Sequence, residues 1–183
     1  MKSPKILSKK IIFKSKFIKV FSAKIKLPNE KIVNWDYNMW CNEGVAVVPV
    51  DDKNNIYLSK EWRPAWQKKI VVIPVGGVKI NASEKEGIKQ ARNELREEIG
   101  LDAKKIEKIV TLLYGTRIKG KIHVYLATGL FKSPKKRDSD EIIEIIRMPF
   151  KKAYKMFLTG KEKTTGYTLL GMSLAKEKLK ISC

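Results

Sequence analysis

One segment of helical periodicity interrupts a chain that is otherwise patterned as strands, and this limits the folds open to the sequence. Four apolar residues recur at the spacing of one helix face: Ile88, Ala91, Leu95 and Ile99. Before them, Ser83 and Glu86 have the spacing of a capping box, in which two side chains satisfy free backbone N–H groups. Gly100 is a typical C-terminal stop. These signals predict an amphipathic helix that buries one face against another layer.

The flanking sequence predicts strands on both sides of this helix. Runs rich in apolar and β-branched residues cover 10–27, 31–40, 44–50, 56–58, 71–75, 106–114, 121–130 and 141–148. We expect a charged loop at 132–140 and two further helices, at 149–158 and 168–180. This order of strands, helix, strands and helices predicts an α+β or mixed α/β sandwich.

The composition is typical of a soluble globular protein with one domain and room for a small appendage. Of its 183 residues, 43% are hydrophobic, which is enough for a packed core. No apolar run reaches the ~18–20 residues that cross a bilayer, so we expect no membrane partner. Two cysteines, Cys41 and Cys183, cannot build a disulfide framework, and a reducing cytoplasm is the expected location.

The formal net charge of +20 indicates an anionic ligand. Arginine, which suits bidentate recognition of phosphate, supplies only 6 of the 39 Lys and Arg residues. No zinc-finger spacing or RNP aromatic motif is present in the sequence. We therefore favour a solvated lysine surface on a protein with an anionic ligand over a dedicated RNA- or DNA-binding protein.

Three glutamates lie close together near the end of the predicted helix. On an α-helix Glu94 neighbours both Glu97 and Glu98, and like charges at these spacings repel. Mg²⁺ or Mn²⁺ reverses that cost, because hard cations bind clustered carboxylate oxygens. Taken alone, such a cluster is more typical of a solvated acidic face. The context favours a functional site, because the pair Gly76-Gly77 follows a strand and precedes the capped helix.

The stretch from Pro74 to Leu101 resembles the Nudix box, G-x5-E-x7-R-E-U-x-E-E-x-G-U, in which U is aliphatic. The second half of the pattern is matched by Glu94, Leu95, Glu97, Glu98, Gly100 and Leu101. Other segments resemble the ADP-ribose and nucleotide-sugar pyrophosphatases of that superfamily, namely 27–30, 61–65, 72–77, 122–127 and 140–144. The resemblance extends from about residue 24 to about residue 178.

The resemblance implies the Nudix fold, an α+β architecture in which a mixed β-sheet lies between helices. It also implies a small antiparallel β subdomain over 1–42, which joins two chains in a homodimer, and a Nudix hydrolase domain over 43–183. The implied activity is metal-dependent cleavage of the diphosphate in a nucleoside diphosphate derivative, such as ADP-ribose or a nucleotide sugar. The implied cofactor is Mg²⁺ or Mn²⁺.

By the same resemblance, the catalytic residues and metal ligands are Glu94, Glu97 and Glu98. Glu94 and Glu98 are the main ligands, and Glu97 binds a second ion directly or through water. A backbone carbonyl near Val75 or Gly76 is a further candidate ligand. The implied substrate-binding residues are Arg63, Trp35, Trp40, Gly76 and Gly77, with Arg63 on a phosphate and the tryptophans on an adenine, within one chain or across the dimer interface. Hydrophobic burial at that interface is the alternative for the tryptophans, and we prefer it slightly.

Three departures from the pattern support a second hypothesis. Asn93 stands where the motif has arginine, and Arg92 is a candidate to take over part of that role. Glu84 follows Gly77 one residue late, and Asn93 follows Glu84 one residue late. The loop at 116–121, where related enzymes carry an acid that helps to activate water, has none. The second hypothesis is a catalytically impaired Nudix-fold protein that binds a nucleotide or an RNA 5′ end; we favour the hydrolase.

Overall fold

The computed structural model describes residues 2–136 and 142–182. The end of the predicted charged loop (137–140), the predicted strand residue Glu141, and Cys183 lie outside this part. The strands are β1 (Lys5–Lys14), β2 (Ile18–Lys26), β3 (Ile32–Trp40), β4 (Asn42–Pro49), β5 (Asn55–Arg63), β6 (Lys68–Val72), β7 (Val75–Lys79), β8 (Leu101–Leu113), β9 (Ile118–Lys119), β10 (Lys121–Lys132) and β11 (Ile143–Pro149). The helices are α1 (Glu84–Glu94), α2 (Phe150–Leu158) and α3 (Gly166–Leu179), together with a 3-10 turn at Pro64–Trp66 and a π-helical turn at Leu95–Ile99. Among these described helices, none is long and apolar enough to span a membrane.

The N-terminal sheet has the strand order β1-β2-β3-β9. The first three strands are antiparallel neighbours and cover most of the segments 10–27 and 31–40 that the sequence predicted as strands. The fourth strand, β9, comes from much later in the chain and pairs with β3 in parallel. Strand β1 forms one edge, and all ten of its residues are exposed.

The central sheet, in the order β7-β4-β10-β8, is mixed and has a helix on each face. Strands β4 and β10 are parallel, whereas β7 and β8 run antiparallel to their neighbours. Val45 and Val47 of β4 pack on the same side as Leu95, and Ala46 packs on the side of Met172 in α3. Because both faces are covered, β4 reads as a continuous apolar run in the sequence.

The third sheet, in the order β11-β5-β6, is antiparallel throughout. Helix α2 begins directly after β11 and buries Phe150, Ala153 and Phe157 in the same core cluster as Ile56 and Leu58 of β5. This arrangement confirms the predicted α+β architecture with a mixed sheet between helices.

The sequence suggested that Gly76 and Gly77 follow the end of a strand. In the structure both lie within a strand. They belong to β7, where they pair with Val45 and Gly44 of β4. Strands β8 and β10 are also longer than predicted, because they pair with each other from end to end.

The local signals around α1 are confirmed, with one difference. The Ser83 oxygen accepts a hydrogen bond from the Glu86 backbone N–H at 3.3 Å, and the Glu86 carboxylate accepts one from the Ser83 backbone N–H at 2.9 Å. Gly100 ends the helical segment at φ 73°, a left-handed conformation that suits glycine. The α-helix, however, ends at Glu94, and a wider turn follows in which the Gly100 N–H donates to the Leu95 carbonyl. Turns of this π type are rare and occur frequently at functional sites.

We expect truncation of Leu95 to destabilise the protein by about 2–5 kcal/mol, because this fully buried side chain leaves a cavity where the helix meets the central sheet. Urea unfolding of Leu95→Ala, followed by circular dichroism, measures the change. The matched control is Leu113→Ala, which removes the same atoms from a side chain that is 79% exposed and should cost less than about 0.5 kcal/mol. Equal losses in the two variants would contradict this assignment of the core.

Candidate active site

A cleft of about 590 Å³ opens between the N-terminal sheet and the sandwich, a size suited to a small-molecule ligand. Its lining residues come from separate elements and include Trp40, Arg63, Trp66, Gly76, Gly77 and Tyr167. Four of the five residues that we expected to bind substrate therefore lie around one cleft. The fifth, Trp35, lines a neighbouring cavity.

Gly76 lets a carboxylate approach the strand that forms one wall of this cleft. A Cβ atom at Gly76 would lie 1.8 Å from Oε1 of Glu94, a distance that no real side chain tolerates. A side chain at this position would therefore displace the Glu94 carboxylate, and glycine lets that carboxylate lie against the strand. The contact places the Glu94 carboxylate directly behind the cleft wall.

Glu98 is the most deeply buried member of the glutamate cluster, with 4% of its surface exposed. Its Oε2 accepts a hydrogen bond from the Ser59 hydroxyl at 2.7 Å, and its Oε1 accepts one from the Val75 backbone N–H at 3.0 Å. Burial raises the pKa of Glu98 to about 8 despite these hydrogen bonds, and the negative charges of Glu94 and Glu61 add to the rise. In the metal-free protein, Glu98 therefore keeps its proton up to about pH 8.

Glu94 lies one helical turn before Glu98 and is 8% exposed. Gln90, one turn earlier on α1, donates from Nε2 to Oε1 of Glu94 at 2.5 Å. The structure thus brings Glu94 and Glu98 into electrostatic contact, as their spacing suggested.

Glu97 has a different environment from the other two glutamates. Its carboxylate forms an ion pair with Lys135, from the segment after β10, and 26% of its side chain is exposed. The sequence argument placed all three glutamates together on an α-helix, whereas the chain adopts a π-helical turn across Leu95–Ile99. Glu94 and Glu98 remain in contact across this turn, whereas Glu97 pairs with Lys135 from another segment of the chain.

Arg63 reaches the cleft from the end of β5 and pairs with Glu61 on the same strand. Its Nη2 lies 2.5 Å from Oε1 of Glu61, and about two fifths of the side chain stays accessible in the cleft. Sequence reasoning gave no site role to Glu61, to Ser59 or to Gln90. The one signal for Ser59 was a hydroxyl directly after the apolar run Ile56–Leu58, where a buried polar group needs a partner.

The two tryptophans occupy different positions. Trp40 lines both cavities and packs against Tyr114, with ring centroids 4.1 Å apart. Trp35 lies in the second cavity, where the Arg117 guanidinium covers its ring at 4.2 Å. A ligand in the cleft can therefore contact Trp40 directly, whereas one face of Trp35 is taken by Arg117.

The residues nearest to the altered half of the motif have other partners. Glu84 pairs with Lys108 of β8 at 3.3 Å, and Glu86 serves the capping box and Lys79. Arg92 does not take over the role of the missing arginine, because its guanidinium binds Asp102 and the Ala103 carbonyl. The buried carboxylates of the motif therefore lie in its second half, at Glu94 and Glu98.

The donor set at this site fits a divalent metal ion. Glu94 and Glu98 present neighbouring carboxyl groups, whose oxygens are the hard ligands that Mg²⁺ and Mn²⁺ prefer. Within residues 2–136 and 142–182, no three Asp, Glu, His or Cys side chains already surround a common point. Among the described residues, the side chains offered to an ion at this point are therefore the pair Glu94 and Glu98.

The raised pKa of Glu98 predicts a pH-dependent stability in metal-free protein. The Glu98 carboxyl keeps its proton up to about pH 8 in the folded protein, whereas in the unfolded chain it releases the proton near pH 4.5. The contribution of this proton to the free energy of unfolding is therefore complete below pH 4.5 and is lost as the pH rises to about 8. The loss should amount to about 3–5 kcal/mol. Urea unfolding in EDTA between pH 5 and pH 8 measures it, with Glu98→Gln as the reference that cannot titrate. If the free energy of unfolding depends on pH in the same way in both proteins, Glu98 does not have the raised pKa.

Comparison with known proteins finds two ADP-ribose pyrophosphatases and one protein of another name that are similar in sequence to this chain. No protein-family model matches the chain. The chain is 33% identical over 155 residues to the ADP-ribose pyrophosphatase of Bacillus subtilis (strain 168), covering 83% of this chain and 82% of that protein. It is 27% identical over 145 residues to the methanol dehydrogenase activator of Bacillus methanolicus, covering 78% and 76%. It is 36% identical over 87 residues to the ADP-ribose pyrophosphatase of Mycobacterium tuberculosis (strain ATCC 25618 / H37Rv), covering 47% and 41%.

A solved structure shares the fold. The crystal structure of an ADP compounds hydrolase superposes with a TM-score of 0.82 at 21% identity and covers 98% of this chain and 96% of that one. The fold match and the similarity to the Bacillus subtilis enzyme over most of both chains lead to one conclusion. The chain belongs to the ADP-ribose pyrophosphatase subgroup of the Nudix hydrolases and is a Nudix pyrophosphohydrolase.

Proposed function

We propose that this protein hydrolyses the diphosphate of ADP-ribose or a related nucleotide sugar in a reaction that requires Mg²⁺ or Mn²⁺. The observation that carries the proposal is the pair of buried carboxylates, Glu94 and Glu98, directly behind the glycine strand that lines the cleft. The names of the relatives support ADP-linked substrates. The reaction adds water across the P–O–P linkage: the bridging oxygen leaves on one phosphate, the oxygen of water joins the other phosphorus, and two phosphomonoesters result.

The cleft residues have distinct roles in this proposal. Arg63 presents a forked guanidinium to a substrate phosphate, for which its partial exposure in the cleft is suited. Gly77 allows the diphosphate to approach the backbone of β7 closely, since no Cβ intervenes, and Gly76 brings the Glu94 carboxylate next to the same stretch of backbone. Trp40 stacks on the base from the opposite side of the cleft.

The metal ligands in this proposal are Glu94 and Glu98, with Glu97 on a second ion directly or through water. A bound ion neutralises the diphosphate and lowers the pKa of a water molecule. Glu97 keeps 26% of its side chain exposed, so exchange of Lys135 for an ion needs no change in the core. The Val75–Gly76 backbone lies beside both buried carboxylates and supplies a candidate carbonyl ligand.

The proposed ligand role predicts that Glu98→Gln and Glu94→Gln lower kcat for ADP-ribose by about 100-fold or more, since each removes a negative oxygen from the metal site. Release of phosphomonoesters from ADP-ribose, ADP-glucose and 5′-triphosphorylated RNA, with Mg²⁺ or with EDTA, measures activity and substrate class together. Glu177→Gln is the matched control, because that side chain is 76% exposed on α3. Undiminished turnover in Glu98→Gln would contradict the ligand assignment.

A second candidate function is binding without efficient cleavage, of a nucleotide or an RNA 5′ end. The observations that favour it are Asn93 at the arginine position and the engagement of Glu84 by Lys108. The same screen distinguishes the two candidates, because this one predicts saturable binding of a nucleotide or RNA with no metal-dependent product.

We also propose a homodimer formed through the N-terminal subdomain, residues 1–42, with 43–183 as the hydrolase domain. Edge strand β1 supports this, because it presents large apolar side chains to solvent, with Ile6, Leu7, Ile11, Ile12 and Phe13 each at least half exposed. An exposed apolar edge strand is a template for pairing with another chain. In such a dimer, Trp35 of one subunit contributes to the substrate site only across the interface.

The dimer proposal predicts a particle of twice the 21.0 kDa chain mass in size-exclusion chromatography with light scattering. The double variant Ile11→Glu/Phe13→Glu should shift it to the monomer, because it places charges on the apolar edge. Lys151→Glu, on the exposed surface of α2, is the control for added negative charge and should remain dimeric. A monomeric wild-type protein would contradict both the dimer and the role of Trp35.

A further inference from the structure

The two buried glutamates of the site receive hydrogen bonds from two neutral side chains that the motif does not include. Ser59 donates to Glu98 and Gln90 donates to Glu94. We propose that Ser59 and Gln90 are positioning residues, which hold the carboxylates of Glu98 and Glu94 in the orientation that binds the metal ion. This inference rests on the proposed function, because it concerns the same metal site.

The need for such residues follows from Asn93. The Nudix pattern has an arginine at this position, and asparagine supplies no positive charge to the adjacent glutamates. Arg92 is the nearest cation in the sequence, but it is directed to Asp102 and the Ala103 carbonyl on β8. The hydrogen bonds from Ser59 and Gln90 to the two carboxylates do not depend on an arginine at this position.

Ser59 is suited to this role by its burial and its geometry. It is fully buried on β5, the central strand of its sheet, opposite Val72 and Ile145. A hydroxyl in such a position is unfavourable unless it is hydrogen-bonded. Its 2.7 Å bond to Oε2 of Glu98 has the length of a well-formed hydroxyl hydrogen bond and satisfies this buried group.

Glu98 is held at both oxygens from two different strands. Ser59 on β5 binds Oε2, and the Val75 N–H, at the start of β7, binds Oε1. Two donors at fixed positions leave the carboxylate one orientation, so little side-chain entropy remains to be lost when an ion binds. The bond from Ser59 also connects the π-helical turn to the antiparallel sheet.

Gln90 holds Glu94 from within the same helix. The two residues are four positions apart on α1, which makes their side chains neighbours, and the amide lies 2.5 Å from Oε1. The same oxygen is the atom of Glu94 nearest to Gly76, where the missing Cβ leaves room for it. An amide donor orients the carboxylate without adding a positive charge, so the donor itself does not compete with a cation.

The test is the Mn²⁺ affinity of the full-length chain, measured by electron paramagnetic resonance, together with kcat for ADP-ribose. Ser59→Ala and Gln90→Met each remove one donor while keeping similar volume, and we expect each to weaken Mn²⁺ binding about 10-fold or more. Saturating Mn²⁺ should restore most of kcat, since neither residue touches the substrate. Ser59→Thr, which keeps the hydroxyl, should restore affinity. The control is Ser173→Ala, which removes a serine that bonds to Tyr154 away from the site.

The outcomes separate this inference from the proposed function. If folded Ser59→Ala and Gln90→Met, checked by thermal unfolding, bind Mn²⁺ as tightly as the wild type, the positioning role is overturned while metal-dependent hydrolysis stands. If thermal stability falls but Mn²⁺ affinity does not, the two residues are structural only and the inference is also overturned. If the wild type neither binds Mn²⁺ nor cleaves any ADP-linked compound, the proposed function itself fails.

Discussion

The burial of two neighbouring carboxyl groups beside a cleft is the most demanding feature of this protein. Glu94 and Glu98 are almost fully removed from water, and this burial raises the pKa of Glu98 to about 8, with a smaller contribution from the negative charge of Glu94. A fold tolerates such a pair only if hydrogen bonds and packing hold it in place. The elements around the pair supply both, since β5, β7 and α1 each contribute a donor or a close contact.

The central sheet explains how the site is kept rigid. Strand β4 is covered on both faces, and the Leu95 side chain of the π-helical turn is packed into that core. Because the backbone that carries Glu94 and Glu98 is anchored by buried side chains, the carboxylates are positioned before any ligand arrives. The cleft next to them is formed by residues from several elements, which allows Arg63, Gly76 and Trp40 to meet around one ligand.

Membership of the Nudix pyrophosphohydrolases follows from similarity over most of the chain, whereas the altered motif raises a question about how its site is arranged. Asn93 removes a charged partner, and the upstream glutamates Glu84 and Glu86 are engaged at the start of α1. The hydrogen bonds from Ser59 and Gln90 offer a physical answer that needs no arginine. They also explain why a serine is tolerated on a strand that is otherwise apolar at this depth.

Local signals were sufficient to predict the helix from Ser83 to Gly100, because capping, periodicity and a left-handed glycine all act within a few residues. They were also sufficient for most strands and for the α+β class. They were insufficient to predict which groups contact each of the three glutamates. Those contacts depend on a π-helical turn, on Lys135 and on Ser59, which lies 39 residues away from Glu98 along the chain. Contacts of this kind form only when separate strands and helices pack together, so no periodicity within the helix can encode them.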